Sequence, residues 1–143
     1  MTQNPTVAIT IGDPCGIGPE VVAKAITQPE IRELCIPVIV GNANIMNDAL
    51  AMVKPSLNIE EIIDISYITP SHETLYIIDP HNLNRDEITP GVVSAAAGKA
   101  SMEWVELAAR LCLNGHAQAM ATAPLNKEAS AAAGYQEIGH MEL

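Results

Sequence analysis

The chain has 143 residues, enough for one domain with a real core, and 48% of them are hydrophobic against 17% charged; that balance excludes general disorder. Its formal charge of −10, with seven Lys and Arg against seventeen Asp and Glu, argues against a nucleic-acid or anionic-membrane surface. Aromatics make up only 3%, with no Phe, so the core has to be aliphatic and alanine-rich, which favours close-packed α/β layers.

In chain order, the apolar, β-prone run Thr6 to Ile11 leads into Gly12-Asp13-Pro14-Cys15-Gly16-Ile17-Gly18-Pro19-Glu20 and then Val21 to Ile26. That order predicts strand, glycine-rich turn, helix. Pro19 suits the first helical position, and Glu20 complements the positive end of the helix dipole. Backbone N–H groups in such a turn can hold an anion; a tight strand-to-helix connection without a ligand fits the same residues. The dinucleotide pattern G-x-G-x-x-G, started at Gly16, fails at Val21, and no Gly-Lys-Ser/Thr closes a P-loop.

Ile36 to Val40 reads as a short buried strand, ended by Gly41-Asn42, and Ala43 to Val53 as a helix closed by Lys54-Pro55. Leu57 to Ile65 alternates only partly and is acidic, so it is expected as an edge or connecting strand. Thr74 to Ile78 is a cleaner strand, followed by a loop from Pro80 to Asp86. The longest helix is expected from Thr89-Pro90 to about Asn114, with Thr89 as N-cap and Gly115 as stop. Val93, Ala97, Ala100, Trp104, Leu107 and Leu111 form its apolar face; Lys99, Glu103, Glu106, Arg110 and Asn114 form a polar stripe. Gln118 to Ala123 reads as a small-residue strand stopped by Pro124, and Asn126 as the cap of a helix from Lys127 to about Ala133, with Gly134 as its stop.

Strands alternating with helices over short connections predict βα units and a mostly parallel sheet with flanking helices. Ligands gather at the carboxyl ends of such strands, where both Gly12–Gly18 and Thr122–Lys127 fall. Lys127 in a first helical turn opposes the dipole. One resolution is an anion held between Lys127 and backbone N–H groups; the other is a lysine that reaches into solvent. His140, taken alone, is more often a polar surface or core residue than a ligand. Cys15, Cys35 and Cys112 are odd in number and lack metal-ligand spacing, so they read as reduced thiols in a cytoplasmic protein. Cys35 and Cys112 are expected to be buried, and Cys15, in the turn, is a candidate for exposure and oxidation. No apolar run approaches the roughly 18 residues that span a bilayer, and residues 1–5 lack a basic region followed by an apolar one, so neither a membrane span nor a signal peptide is expected.

Taken together, three blocks resemble the 4-hydroxythreonine-4-phosphate dehydrogenase family of pyridoxal phosphate biosynthesis. They are Ile9 to Glu20, the helix start Pro90 to Lys99, and Thr122-Ala123-Pro124-Leu125-Asn126-Lys127-Glu128 with its continuation through Ala133-Gly134-Tyr135 to Gly139-His140-Met141-Glu142. The resemblance implies an isocitrate/isopropylmalate-dehydrogenase-like α/β fold and a homodimer. It also implies oxidation of a phosphorylated hydroxy acid by NAD at a divalent metal, followed by decarboxylation. Substrate contacts are implied at His140 and at the residue after it, where Met141 stands in place of the family threonine and has no hydroxyl; Lys127 is the third substrate-binding candidate. Cys15 stands where alanine is common in the family.

Family chains are much longer, so residues 1–143 are expected to form one α/β region matching the family's N-terminal part, truncated relative to it. The metal-binding histidines, the later phosphate and carboxylate contacts and most of the NAD site lie downstream in relatives. No catalytic residue, cofactor contact or metal ligand is therefore assigned in this chain. The Thr122 to Ala129 stretch leans toward the sibling branch that acts on D-threonate or D-erythronate 4-phosphate. A non-catalytic module that binds a phosphate-containing ligand or a partner is the reading from another class.

Overall fold

A computed structural model describes residues 4–54 and 56–136. The strands are β1 (Thr6–Thr10), β2 (Ile36–Val40), β3 (Asn58–Glu61), β4 (Thr74–Ile78) and β5 (Ala119–Thr122). The helices are α1 (Gly18–Ile26), α2 (Pro29–Leu34), α3 (Ala43–Val53), α4 (Ala95–Leu113) and α5 (Lys127–Ala132), with 3-10 turns at Ile65–Tyr67 and Arg85–Glu87. All strand pairs are parallel, in the order β3-β4-β2-β1-β5. The expected parallel α/β sheet is what the chain forms.

Burial follows from that order. Central β2 has Val38, Ile39 and Val40 wholly buried, as a parallel strand covered on both faces requires. Pro37 is tolerated in it because pairing with β4 begins only at Val38, so the ladder is still open beside the ring. β3, at one edge, carries Glu60 and Glu61 and is largely exposed; charge is what keeps an edge from pairing further. It covers only part of the expected Leu57 to Ile65 segment.

From β1 the chain steps to β2 and on toward the β4–β3 edge, then α4 carries it back to β5 on the other side of β1. Right-handed crossovers in opposite directions place their helices on opposite faces. α1 accordingly packs on α3, while α4 lies against β1, β2 and β5 and carries α5. The core between these layers is aliphatic apart from Tyr76 and Trp104; Trp104 is fully buried, and its Nε1 donates to Asn82 Oδ1 at 3.0 Å.

Two expectations on helices change. α2 has no buried residue, so it carries no apolar periodicity by which the sequence could announce it. α4 starts at Ala95, not near Thr89, because Ser94 is the cap: its Oγ accepts from Ala97 N–H at 3.3 Å. Residues 89–92 instead make a turn, with Val92 N–H donating to the Thr89 carbonyl at 3.1 Å. Val93 is consequently outside the helix and 47% exposed, whereas Ala97, Ala100 and Trp104 are buried as expected and Leu107 and Leu111 are half-buried. Cys35 and Cys112 are also half-buried rather than buried. Among the described residues, no helix is long and apolar enough to cross a membrane.

Candidate functional site

The crossover reverses direction between β1 and β5, which makes their carboxyl ends the switch point where doubly wound sheets take ligands. Three stretches meet there. Asp13 N–H donates to the Pro124 carbonyl at 2.9 Å, tying the turn after β1 to the loop after β5. Gly91 N–H donates to the Cys15 carbonyl at 2.7 Å, tying the turn before α4 to the same place. α4 and α5 then touch at Gly98, where a Cβ would lie 2.0 Å from the Ala129 carbonyl oxygen. Gly12 is required for a related reason: its φ is +71°, and a Cβ there would sit 2.4 Å from the Pro124 carbonyl oxygen.

Three of the turn's amides are committed within the fold. Besides the Asp13 bond, Gly16 N–H donates to the Asp13 carbonyl at 3.0 Å and Cys15 N–H to Asp13 Oδ1 at 2.9 Å. These three donors are used within the fold, so none is left to cradle an anion; for them the turn is a docked strand-to-helix connection. Asp13, only 8% exposed, is the organising side chain, and its acidity was not singled out by the glycine pattern. Thr10, at the end of β1, is fully buried, and its Oγ1 has no hydrogen-bond partner among the described residues. A lone threonine within a β-prone run gives no sequence signal for that.

Cys15 is 5% exposed, which overturns its reading as an exposed, oxidisable thiol. Burial pushes its pKa up, Asp13's charge adds to that, and a backbone hydrogen bond at Thr89 opposes both. The thiol is therefore held protonated and unreactive at neutral pH.

Lys127 begins α5, as expected, with Asn126 Oδ1 accepting from Ala129 N–H at 3.0 Å. Its side chain is exposed and forms no ion pair among the described residues. His140 and Met141 lie outside the described residues. A cleft of about 540 Å³ opens beside the glycine turn, against α3 and residues 85–90. Glu20, Asp48 and Asp86 line it, and its one cation, Arg85, is held by Asp48 at 2.8 Å. Its charge is wrong for a phosphate.

The implied cofactors do not fit these residues. A dinucleotide site of the fingerprint type wants an acidic side chain after the second strand; here Asn42 follows β2, and its amide is committed to Ile45 N–H at 3.0 Å and the Leu83 carbonyl at 2.9 Å. Among the described residues, Asp13 is the one buried carboxylate at the switch point, with one oxygen already bonded. The described group of three metal-ligating side chains, Glu61, Asp79 and His81, sits instead at the ends of β3 and β4.

The fold and its switch-point junction define a doubly wound α/β protein with an all-parallel sheet. Residues 33–143 match the family described as "Pyridoxal phosphate biosynthetic protein PdxA", and the chain belongs to that family. It is 37% identical over 146 aligned positions to the 4-hydroxythreonine-4-phosphate dehydrogenase of Trichlorobacter lovleyi, covering 99% of this chain and 43% of the relative. It is 34% identical over its whole length to a Clostridium botulinum protein provisionally named D-threonate 4-phosphate dehydrogenase, again over 43% of the relative. A crystal structure of a 4-hydroxythreonine-4-phosphate dehydrogenase from Burkholderia phymatum superposes with a TM-score of 0.91 at 34% identity, covering 99% of this chain and 42% of that one. The chain spans less than half the length of the curated relatives it matches.

Proposed function

We propose that this chain is the N-terminal part of an NAD- and divalent-metal-dependent dehydrogenase that oxidises and decarboxylates 4-phosphohydroxy-L-threonine. The observation that supports the reading is the junction itself. The three sequence blocks that carry the resemblance are joined by the Asp13–Pro124 and Gly91–Cys15 hydrogen bonds and the Gly98–Ala129 contact at one end of the sheet. In this reading Lys127 contacts the substrate's anionic end, His140 its polar centre, and Met141 leaves the family threonine's hydrogen bond unmade. NAD and the metal are assigned to the length by which the relatives exceed this chain. The working form is a cytoplasmic homodimer.

D-threonate 4-phosphate is the second substrate to test, because a relative provisionally named for it aligns with the whole chain. A module that binds a phosphate-containing ligand or a partner without turnover is the other reading, favoured by Met141, which lacks the hydroxyl of the family threonine. Calorimetric titration of the folded chain with each phosphorylated acid, beside an NADH absorbance assay with NAD and Mg²⁺ or Mn²⁺, separates these. The dehydrogenase reading expects phosphate-dependent binding that Lys127→Ala weakens by about tenfold, the loss of one charge-assisted contact. Unchanged affinity removes Lys127 from the site, and absence of any binding by the folded chain leaves only ancestry. NADH formation by this chain alone would overturn the assignment of NAD and metal elsewhere.

A further inference from the structure

We propose that Glu61, Asp79 and His81 form a site for a divalent first-row transition ion, separate from the switch-point junction. The ligands come from two adjacent strand ends. Glu61 is the last residue of β3 and pairs in register with Ile77 of β4; Asp79 and His81 follow β4 directly. One ligand atom from each of the three lies within 4.8 Å of the other two. Strand β2 separates β4 from β1, so this group sits across the sheet from the β1–β5 crevice.

Each ligand is placed by the fold. The Asp79 side chain is 5% exposed and fixed by two backbone donors: Ala43 N–H to Oδ2 at 2.9 Å and His81 N–H to Oδ1 at 2.8 Å. Each carboxylate oxygen has a second lone pair free for an ion, and metal-bound carboxylates are ordinarily held in this way. His81 has φ +55°, rare outside glycine. That turn brings its ring beside both carboxylates: Nε2 meets Glu61 Oε1, while Nδ1, the nitrogen that an ion bound at Nε2 leaves free, is 4.0 Å from Asp79 Oδ2. Ligand atoms around an ion with bonds of about 2.0–2.2 Å stand roughly 3–4 Å apart, so modest opening of the Glu61–His81 contact admits one.

Among the described residues, no Lys or Arg pairs with Glu61 or Asp79. Arg85 is the one Lys or Arg lining the adjoining cleft of about 320 Å³, and it is engaged by Asp48. The cleft leaves room for water to complete the coordination. A Glu–His ion pair alone would be a weak reason for the arrangement, since both side chains are substantially exposed. The imidazole selects the metal class, favouring Zn²⁺ and its neighbours over Mg²⁺ and Ca²⁺.

The test is calorimetric titration of the full 143-residue chain with Zn²⁺ alone, in a non-chelating buffer at neutral pH, with thermal melts alongside. One saturable site per chain is expected, with a rise in melting temperature. His81→Ala and Glu61→Gln, both at exposed positions and checked for folding by circular dichroism, should each weaken Zn²⁺ by at least about tenfold and abolish the melting shift. Failure of the folded native chain to bind Zn²⁺ saturably, survival of binding in His81→Ala, or displacement by equimolar Mg²⁺ would each overturn the proposal.

Discussion

Gly98→Ala changes one hydrogen to a methyl group at the point where α4 carries α5. An added Cβ would lie 2.0 Å from the Ala129 carbonyl oxygen, 2.2 Å from its carbon and 2.7 Å from the Ser130 nitrogen. All three are backbone atoms, so no side chain can rotate away; α5 has to move by about an ångström to restore ordinary contact. Overpacking of this kind costs about 1–3 kcal/mol. Replacing glycine by alanine inside a helix returns up to about 1 kcal/mol. α5 spans six residues and buries little beyond Ala129 and Ser130, so it can lift away and cap the penalty. A net loss of about 1–2 kcal/mol follows, lowering the melting temperature by roughly 3–6 °C for a chain of this size. Urea unfolding followed by Trp104, the only tryptophan, measures the loss, and hydrogen exchange should show α5 deprotected while β1 and β2 stay protected. Equal or greater stability in Gly98→Ala would refute the reasoning, since propensity would then be acting without a clash.

Arg32→Met should destabilise by about 1–2 kcal/mol in urea, because Arg32 Nη2 donates to the Ser71 and Thr74 carbonyls and ties α2 to the start of β4; a change within 0.5 kcal/mol would show the tie to be idle. Alkaline pH should weaken the fold through Cys15, whose folded pKa is raised by burial and then by Asp13 above the ordinary 9.0. The unfolded thiol ionises first, so this stabilisation is complete below about pH 9 and fades as pH climbs through the folded value. Cys15→Ala should flatten that arm in pH-dependent urea melts; an unchanged alkaline slope would sink the assignment.

Elements bounded by local stop signals were the most legible part of the fold. Ile36 to Val40, Ala43 to Val53 and Thr74 to Ile78 match their elements because apolar runs there end at Gly41-Asn42, Lys54-Pro55 and Asp79-Pro80, and each stop is local. α2 was illegible for the opposite reason: a helix that buries nothing leaves no period to read. The start of α4 was misread because Thr89-Pro90 and Ser94 are both valid caps by composition. What decides between them is non-local: Gly91 N–H bonds the Cys15 carbonyl, about 75 residues away in sequence, and that contact holds residues 89–92 in a turn.

The candidate site divides along the same line. That the stretches after β1 and β5 lie at strand ends follows from local alternation, and their meeting is what a doubly wound order produces. What their amides do depends on the partner they meet. Glycine spacing marks a turn as free to accept an anion, but the bonds from Asp13, Cys15 and Gly16 use that capacity to fasten the turn and its neighbour. The same distinction applies to Cys15, exposed by its glycine neighbours in sequence and buried by residues 89–91 in space. It applies again to Glu61, Asp79 and His81, which stand in separate runs with no ligand spacing and are gathered only because β3 and β4 are parallel neighbours ending at the same level. Chemistry that a parallel sheet assembles at its rim is written in strand order, and strand order is the one feature that local sequence pattern does not carry.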